Sequence, residues 1–216
     1  MPDADPTPQA DTPDANESAA TGASVRKRPK PGERRVQILQ ALAAMLEQPG
    51  AERITTAALA ARLEVSEAAL YRHFASKAQM FEGLIDFIEQ SVFTLINQIQ
   101  ERHEGDPVRQ AAAMATLLVQ FAERNPGMTR VMVGDALVYE NERLQQRMNQ
   151  FFDRIESTLK QCLRTDAAGS ATPTVDAQVR ASLLTAFLVG RLQRYARSGF
   201  KRLPSEHLED SLARIL

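Results

Sequence analysis

Residues 66–77 place polar and cationic side chains around two apolar ones at the spacing of a helix. Leu70 and Phe74 lie four residues apart and are expected to face a core, which turns Arg72 and His73 outward. Outward side chains of this kind form hydrogen bonds with base edges and phosphates when a helix lies in the major groove of DNA. The pattern therefore predicts a recognition helix for duplex DNA.

Within this segment each side chain suits a different contact. Arg72 has the donors to pair with a guanine or a phosphate, and Ala69 is small enough to let the backbone approach bases or a thymine methyl. Tyr71, His73 and Lys77 are better suited to phosphates, which fix the position of a protein on DNA without reading its sequence. For Tyr71 and His73 the alternatives are partial burial and simple solvation.

Four more polar residues belong to the same predicted surface. Ser66 is expected to cap the recognition helix, and Thr55 or Thr56 to cap the short helix before it. Free amides at the start of that earlier helix favour an anion, so both threonines are candidate phosphate contacts, with capping alone as the alternative for Thr56. Glu67 suits a contact with the amino group of a cytosine. A surface position without a DNA contact is an equal alternative for this residue.

The 216 residues carry a net charge of −1, but the charge is unevenly distributed. Residues 1–24 hold five acids and no lysine or arginine, and their composition predicts a disordered acidic tail. Residues 25–78 hold ten basic side chains against five acidic ones, which is the charge pattern that phosphate binding needs. The basic arm at the start of this segment, Arg26, Lys27 and Arg28, is expected to enter the minor groove.

Helical periodicity extends along the rest of the chain, and no sustained alternation or hairpin turn predicts a strand. A helix from Glu33 to Pro49-Gly50 precedes two short helices joined at Glu64-Val65, which is helix-turn-helix geometry. We therefore expect an all-α fold, with a DNA-binding domain over residues 25–78 and a helical dimerisation and partner-binding domain over residues 79–216.

Capping and breaking signals divide the second domain into helices. Ser76 and Gln79 form a capping-box pattern that opens a long helix, and Gly105 ends it. The expected core stripe of that helix is Phe81, Leu84, Ile85, Ile88, Val92, Leu95, Ile96 and Ile99. Asp106 is expected to cap the next helix, 107–124, which begins with Pro107. The remaining predicted helices are 126–132, 139–164, 175–198 and a final one over 204–216.

Catalysis and metal binding are not indicated. His73, His103 and His207 lack the spacing of a metal site, and the sequence has no glycine-rich phosphate loop or nucleophile elbow, so we expect no enzyme activity and no cofactor. Cys162 is the single cysteine, which excludes an internal disulfide and favours a core position in a cytoplasmic protein. The acidic N-terminus lacks the apolar region of a secretory signal, and no apolar run is long enough to span a membrane.

The segment ITTAALAARLEVSEAALYRHFASK, residues 54–77, resembles the DNA-binding signature of the TetR family of regulators. The resemblance includes the spacing of Leu70, Tyr71, Phe74 and Lys77 and covers about residues 33–81. It implies a dimer whose helix-turn-helix domains bind the two halves of a palindromic site.

Further segments are similar to one branch of that family, the nucleoid-occlusion factors. They include LIDFIEQS (84–91), ERNPGMTRVM (123–132), LQQRMNQFFDRIE (144–156) and RSGFK (197–201). This resemblance implies a nucleoid-associated protein that binds palindromic chromosomal sites. It also implies binding to the C-terminal tail of the division protein FtsZ, which antagonises assembly of the Z ring over the chromosome.

In that branch the FtsZ tail lies in a groove between the first two long helices after the DNA-binding domain, and four residues match its pattern: Phe87, Leu117, Arg124 and Asn125. Phe87 also lies about 100° or more from the centre of the core stripe of its helix, as expected for a partner contact. Phe93 lies off the stripe as well, on the other flank, so this argument is not unique to Phe87. The alternative for Phe87 is that it packs on the next helix or on the dimer partner. The alternative for Asn125 is that it only caps a helix. Leu95 replaces an arginine of the pattern and Gln120 a glycine, and losing a cation weakens pairing with an acidic peptide.

A homodimer is expected from helices 139–164 and 175–198, since together they carry more apolar faces than a small helical domain hides alone. The two recognition helices of such a dimer would lie about 34 to 36 Å apart. The alternative function is a repressor that responds to a small molecule, in which an effector would weaken operator binding. The residues that would line its cavity are Met114, Leu117, Leu118, Phe121, Met128 and Met132.

Overall fold

The structure, a computed structural model, describes residues 32–48 and 53–216. Within those ranges the chain forms α-helices and two short 3-10 helices, with no β-strand, so the predicted all-α fold is confirmed. The helices are α1 Glu33–Leu46, α2 Thr56–Arg62, α3 Glu67–Tyr71, α4 Lys77–Arg102, α5 Pro107–Arg124, α6 Pro126–Met132, α7 Glu142–Asp166, α8 Pro173–Arg197 and α9 Leu208–Ile215.

Helices α2 and α3 start at the predicted caps. The side chain of Thr55 accepts a hydrogen bond from the amide of Ala58 at 3.1 Å, and that of Ser66 accepts one from Ala69 at 3.3 Å. Between α2 and α3 the chain turns through Glu64, whose φ of 53° lies in the left-handed region. These caps confirm a helix-turn-helix, two short helices whose relative position is fixed by a tight turn.

The capping box at the start of α4 differs from the prediction by one residue. Ser76 accepts a hydrogen bond from the amide of Gln79 at 3.2 Å, as expected. The side chain of Gln79, however, accepts from the amide of Ala75 at 2.9 Å rather than from that of Ser76. The start of α4 is therefore tied to the residue that follows the buried Phe74.

One hydrophobic core runs through both ends of the molecule. Leu70 and Phe74 of the helix-turn-helix are buried, and so are Met80, Phe81 and the inner residues of α4 that follow. Because α4 packs on α1, α5 and α7, this single helix joins the small N-terminal bundle to the larger one formed by α5 to α8.

The predicted core stripe of α4 is wrong at one position. Leu95 lies on the surface, whereas Phe93, which the periodicity places beside the stripe, is buried. The reason is that α7 covers the Phe93 side of the helix. There the rings of Phe93 and Phe151 meet edge to face with 5.7 Å between centroids, and the Arg154 guanidinium lies 3.7 Å from the Phe93 centroid.

Several predicted helix ends also differ. Helix α7 begins at Glu142 rather than Tyr139, because a 3-10 turn at Asp135–Leu137 follows Gly134 and Asn141 caps the helix through the amide of Arg143 at 3.0 Å. Helix α8 begins at Pro173, two residues before the predicted start, and α9 occupies only Leu208–Ile215 of the predicted tail helix.

The remaining single-residue predictions are largely met. Asp106 caps α5 by accepting from the amide of Arg109 at 3.0 Å, and Cys162 is buried. No helix in the described ranges is long and apolar enough to cross a membrane. The predicted acidic tail 1–24 and the Pro49-Gly50 break lie outside the described residues.

Candidate nucleic-acid interface and partner surface

The predicted recognition helix is short and presents most of its polar side chains to solvent. Helix α3 ends at Tyr71, so Arg72 and His73 lie just beyond its last turn rather than within it. Tyr71, Arg72 and His73 are exposed, as are Ser66 and Glu67 at the start, while Ala69 is half-buried. The structure therefore brings the predicted base and phosphate contacts together on one exposed edge.

A hydrogen bond joins the two helices of the helix-turn-helix. The hydroxyl of Thr56 donates to Oε2 of Glu67 at 2.5 Å. Thr55, and not Thr56, is the cap of α2. Thr56 and Glu67 thus fix the relative position of α2 and α3, a role that their spacing in the sequence did not reveal.

Arg35 supports the far end of the recognition segment and was missed in the sequence. Its Nη1 donates to the carbonyl oxygen of His73 at 2.7 Å, and its guanidinium lies 4.1 Å from the centroid of the Phe74 ring. The only sequence signal was a cation in the basic segment, since its partners lie 38 residues further along the chain. Helix α1 therefore holds the backbone from which Arg72 and His73 project.

Lys77, predicted to contact phosphate, is bound within the protein. Its ammonium forms an ion pair with Glu140 and lies 5.7 Å from the centroid of the Phe81 ring. Glu140 belongs to the segment that precedes α7 and was not among the predicted site residues. The basic arm, Arg26, Lys27 and Arg28, lies outside the described residues.

The predicted partner surface lies on α4 and α5, which pack against each other. Phe87 on α4 is 48% exposed, an unusual position for a phenylalanine, and Arg124 on α5 is exposed. Leu117 is partly buried against the core. Gln120 lines an open cleft of about 400 Å³ between α5 and residues 205–210.

Asn125 occupies the N-cap position of α6, but its side chain makes no capping hydrogen bond there. Its Nδ2 instead donates to the carbonyl oxygen of Phe121 at 2.8 Å, one turn back along α5. The junction between α5 and α6 is instead held by Thr129. Its hydroxyl donates to the carbonyl oxygens of Ala122 at 2.9 Å and Asn125 at 3.1 Å.

The side chains proposed to line an effector cavity belong to the hydrophobic core. Met114, Leu118 and Met132 are almost completely buried, and Leu117 and Met128 pack against them from the side. Apolar side chains at helical spacing serve here to join α5 and α6 to the rest of the bundle.

Ion pairs connect the Phe93 flank of α4 with the start of α7. Arg147 donates to Asp86 at 2.8 Å and to Glu89 at 2.6 Å, and Arg143 pairs with Glu82. Burial lowers the pKa of Arg147, but the hydrogen bonds to Glu89 and Asp86 outweigh it, so the net direction is upward. These three carboxylates on the Phe93 flank of α4 are thus paired with cations of α7.

Two protein families match the chain. Residues 38–84 match the family described as bacterial regulatory proteins, tetR family. Residues 107–215 match a SlmA-like family described as the tetracyclin repressor-like C-terminal domain. The two matches divide the chain within α4, the helix that joins its two bundles.

Curated relatives agree over most of the chain. It is 55% identical to the nucleoid occlusion factor SlmA of Idiomarina loihiensis over 175 residues, which are 81% of this chain and 89% of the relative. It is 52% identical to the protein of the same name from Vibrio cholerae over 180 residues, 82% of this chain and 91% of the relative.

Solved structures show the same fold at low sequence identity. The transcriptional regulator FadR of Bacillus subtilis, solved with stearoyl-CoA, aligns with a TM-score of 0.66 at 14% identity and covers 83% of this chain and 96% of that one. The TetR-family regulator PfmR of Thermus thermophilus aligns with a TM-score of 0.66 at 19% identity, over 84% and 95% of the two chains. The chain belongs to the SlmA family of nucleoid occlusion factors, non-enzymatic regulators with a TetR-type DNA-binding domain.

Proposed function

We propose that this chain binds palindromic chromosomal sites as a symmetric homodimer and, while bound, holds the C-terminal tail of FtsZ and antagonises Z-ring assembly over the nucleoid. It acts in the cytoplasm, with residues 25–78 as the DNA-binding unit and residues 79–216 as the dimerisation and FtsZ-binding unit. The observation that carries this proposal is the identity of 51–55% with nucleoid occlusion factors over more than four-fifths of the chain.

The exposed edge around α3 supports the DNA-binding part. Arg72 and Ala69 are the proposed base contacts, and Tyr71, His73 and the helix start at Ser66 supply phosphate contacts. The free amides at the start of α2, beside Thr55 and Thr56, add donors for a phosphate, and the basic arm extends the interface toward the minor groove. Because Arg35 holds the carbonyl of His73, the segment that carries Arg72 keeps its orientation before DNA arrives.

An exposed apolar stripe on α8 supports the dimer. Val175, Val179 and Leu183 follow one another at intervals of four residues and are all more than half exposed. Large apolar side chains at this spacing indicate a surface that another helix covers. We assign it to a two-fold interface in which α7 and α8 of each protomer form a four-helix bundle.

Phe87 is the proposed anchor for the FtsZ tail. It is a large aromatic exposed on α4, next to α5, which supplies Leu117 and the exposed cation Arg124. Aromatic anchors beside a cation suit a peptide that has both apolar and acidic residues. Asn125 completes the set from the end of α5.

A peptide titration with and without DNA tests the proposal. A palindromic duplex is first selected from a random pool with the full chain, and a labelled FtsZ tail peptide is then titrated against protein alone and protein on duplex. We expect the peptide to bind while the protein stays on DNA. Phe87→Ala should lower peptide affinity at least about tenfold and leave DNA affinity unchanged, because an aromatic anchor carries a large share of such binding energy.

Tyr139→Ala is the matched control for Phe87, since Tyr139 is an exposed aromatic outside α4 and α5. It should retain peptide binding. Equal loss of DNA and peptide binding in Phe87→Ala would mean that Phe87 supports the fold rather than binding the peptide. A wild-type chain that prefers no inverted repeat over scrambled DNA would contradict the DNA-binding role, and release from the duplex by a small effector would favour the repressor function.

A further inference from the structure

The ammonium of Lys77 is held on two sides by the body of the protein. Lys77 is the first residue of α4, and its Nζ forms an ion pair with Glu140 and lies over the ring of Phe81. The side chains of Lys77 and Glu140 are 25% and 10% exposed, so the pair is partly shielded from water. Such pairs are stronger than fully exposed ones because the local dielectric constant is lower.

The neighbouring charges do not offer Glu140 another partner. Arg143 is paired with Glu82, and Arg147 with Asp86 and Glu89. The cation available to Glu140 among these side chains is therefore Lys77.

We propose that Glu140 competes with the DNA backbone for Lys77, so that a residue of the segment before α7 limits the DNA affinity of the helix-turn-helix. This inference rests on the proposed DNA-binding function. A phosphate that contacts Lys77 must displace Glu140 or remain near its negative charge, and either course weakens binding. Since phosphate contacts do not read bases, the effect is the same on specific and scrambled DNA.

Glu140→Gln tests this competition because it removes the charge while keeping the size and an acceptor oxygen. We expect DNA affinity to rise about two- to fivefold at low salt, as is usual for one partly exposed charge pair. The slope of log affinity against log salt concentration should steepen by up to about 0.9, because Lys77 then neutralises one more phosphate. The gain should be equal on the palindrome and on scrambled duplex.

Glu142→Gln is the matched control. Glu142 lies two residues further along, is exposed, and contacts only Gln146, at 3.4 Å, among the described residues. It loses the same charge without touching Lys77, so its gain in affinity should be clearly smaller than that of Glu140→Gln. Equal gains from both variants would reduce the effect to net charge and overturn the proposal.

A double variant assigns the effect to Lys77 itself. Lys77→Met keeps an unbranched side chain over Phe81 and should weaken DNA binding, and adding Glu140→Gln to it should give no more than the small gain of Glu142→Gln. A gain from Glu140→Gln that is as large without Lys77 as with it, or a loss of affinity in Glu140→Gln alone, would overturn the proposal and leave the DNA-binding function standing. Wild-type protein without DNA affinity would instead overturn that function. Thermal melting of each variant verifies that it folds.

Discussion

Cys162 is a buried thiol whose surroundings keep it protonated. Its Sγ lies 3.1 Å from the carbonyl oxygen of Pro107 and 3.0 Å from Oε1 of Gln110, so the thiol donates within the contact between α7 and the start of α5. Burial raises the pKa of this thiol to about 11, and the charges of Asp166 and Asp106 act in the same direction. A thiol of this kind serves packing rather than nucleophilic chemistry.

We therefore expect Cys162 to resist alkylation in the folded protein. At pH 8 only about one thiol in a thousand is ionised when its pKa lies three units higher, and the thiolate is the reactive form. Iodoacetamide should leave the native chain unmodified by mass spectrometry and add one label after unfolding in urea, because the chain has one cysteine. Rapid labelling of the native chain would contradict this assignment.

Residue-scale features were predictable where both partners are close in sequence. The caps formed by Thr55, Ser66 and Asp106 each use an amide three residues further along, so the local pattern reveals them. Arg35 and Glu140 were missed because their partners lie 38 and 63 residues away. Only the fold brings such groups together, and the periodicity of the sequence does not predict these contacts.

At the scale of elements, α6 and α1 meet at a backbone contact. Gly127 lies against the carbonyl group of Ala43, and a β-carbon at position 127 would collide with that backbone oxygen. Backbone atoms move less easily than the end of a flexible side chain, so the approach of the two helices depends on glycine here. This contact fixes the DNA-binding end against the body.

Gly127→Ala should accordingly destabilise the fold by roughly 1 to 3 kcal/mol, the usual cost of overpacking a tight contact. Urea unfolding followed by circular dichroism measures the change. Gly169→Ala is the control, since an added β-carbon there has no atom within 4 Å. If the two variants unfold at the same urea concentration, α1 and α6 are not held together by this contact.

Helix α4 shows why element-scale prediction succeeded only in part. Its length and inner face follow from a periodicity of 3.6, but α1, α5 and α7 all pack on it, and periodicity does not say which flank α7 takes. Helix α7 lies on the Phe93 side, which buries that ring and leaves Leu95 exposed. The late start of α7 has a similar cause, because the 3-10 turn at Asp135–Leu137 has no distinct sequence pattern.

At the scale of the whole molecule, the apolar stripe of α8 predicts the assembly state. Leu183→Glu places a charge in the proposed two-fold interface twice per dimer, and a buried unpaired charge costs several kcal/mol. We expect this variant to sediment as a monomer and to lose its preference for a palindrome over single half-sites, while the wild type sediments as a dimer.

Leu203→Glu is the control for that experiment. Leu203 is 52% exposed against 58% for Leu183, but it lies after α8 and outside the stripe. It should remain dimeric. Dimers of unchanged stability in Leu183→Glu would place the interface elsewhere.

The shared core has a consequence for how such proteins diversify. Inner residues of α4 such as Met80 and Phe81 support the helix-turn-helix and the body together, so replacing them disturbs both activities at once. Under the proposed function, new operator preferences or new binding partners must therefore arise at outward positions, Arg72 at one end and Phe87 at the other. Selection on either trait then proceeds without eroding the scaffold on which both depend.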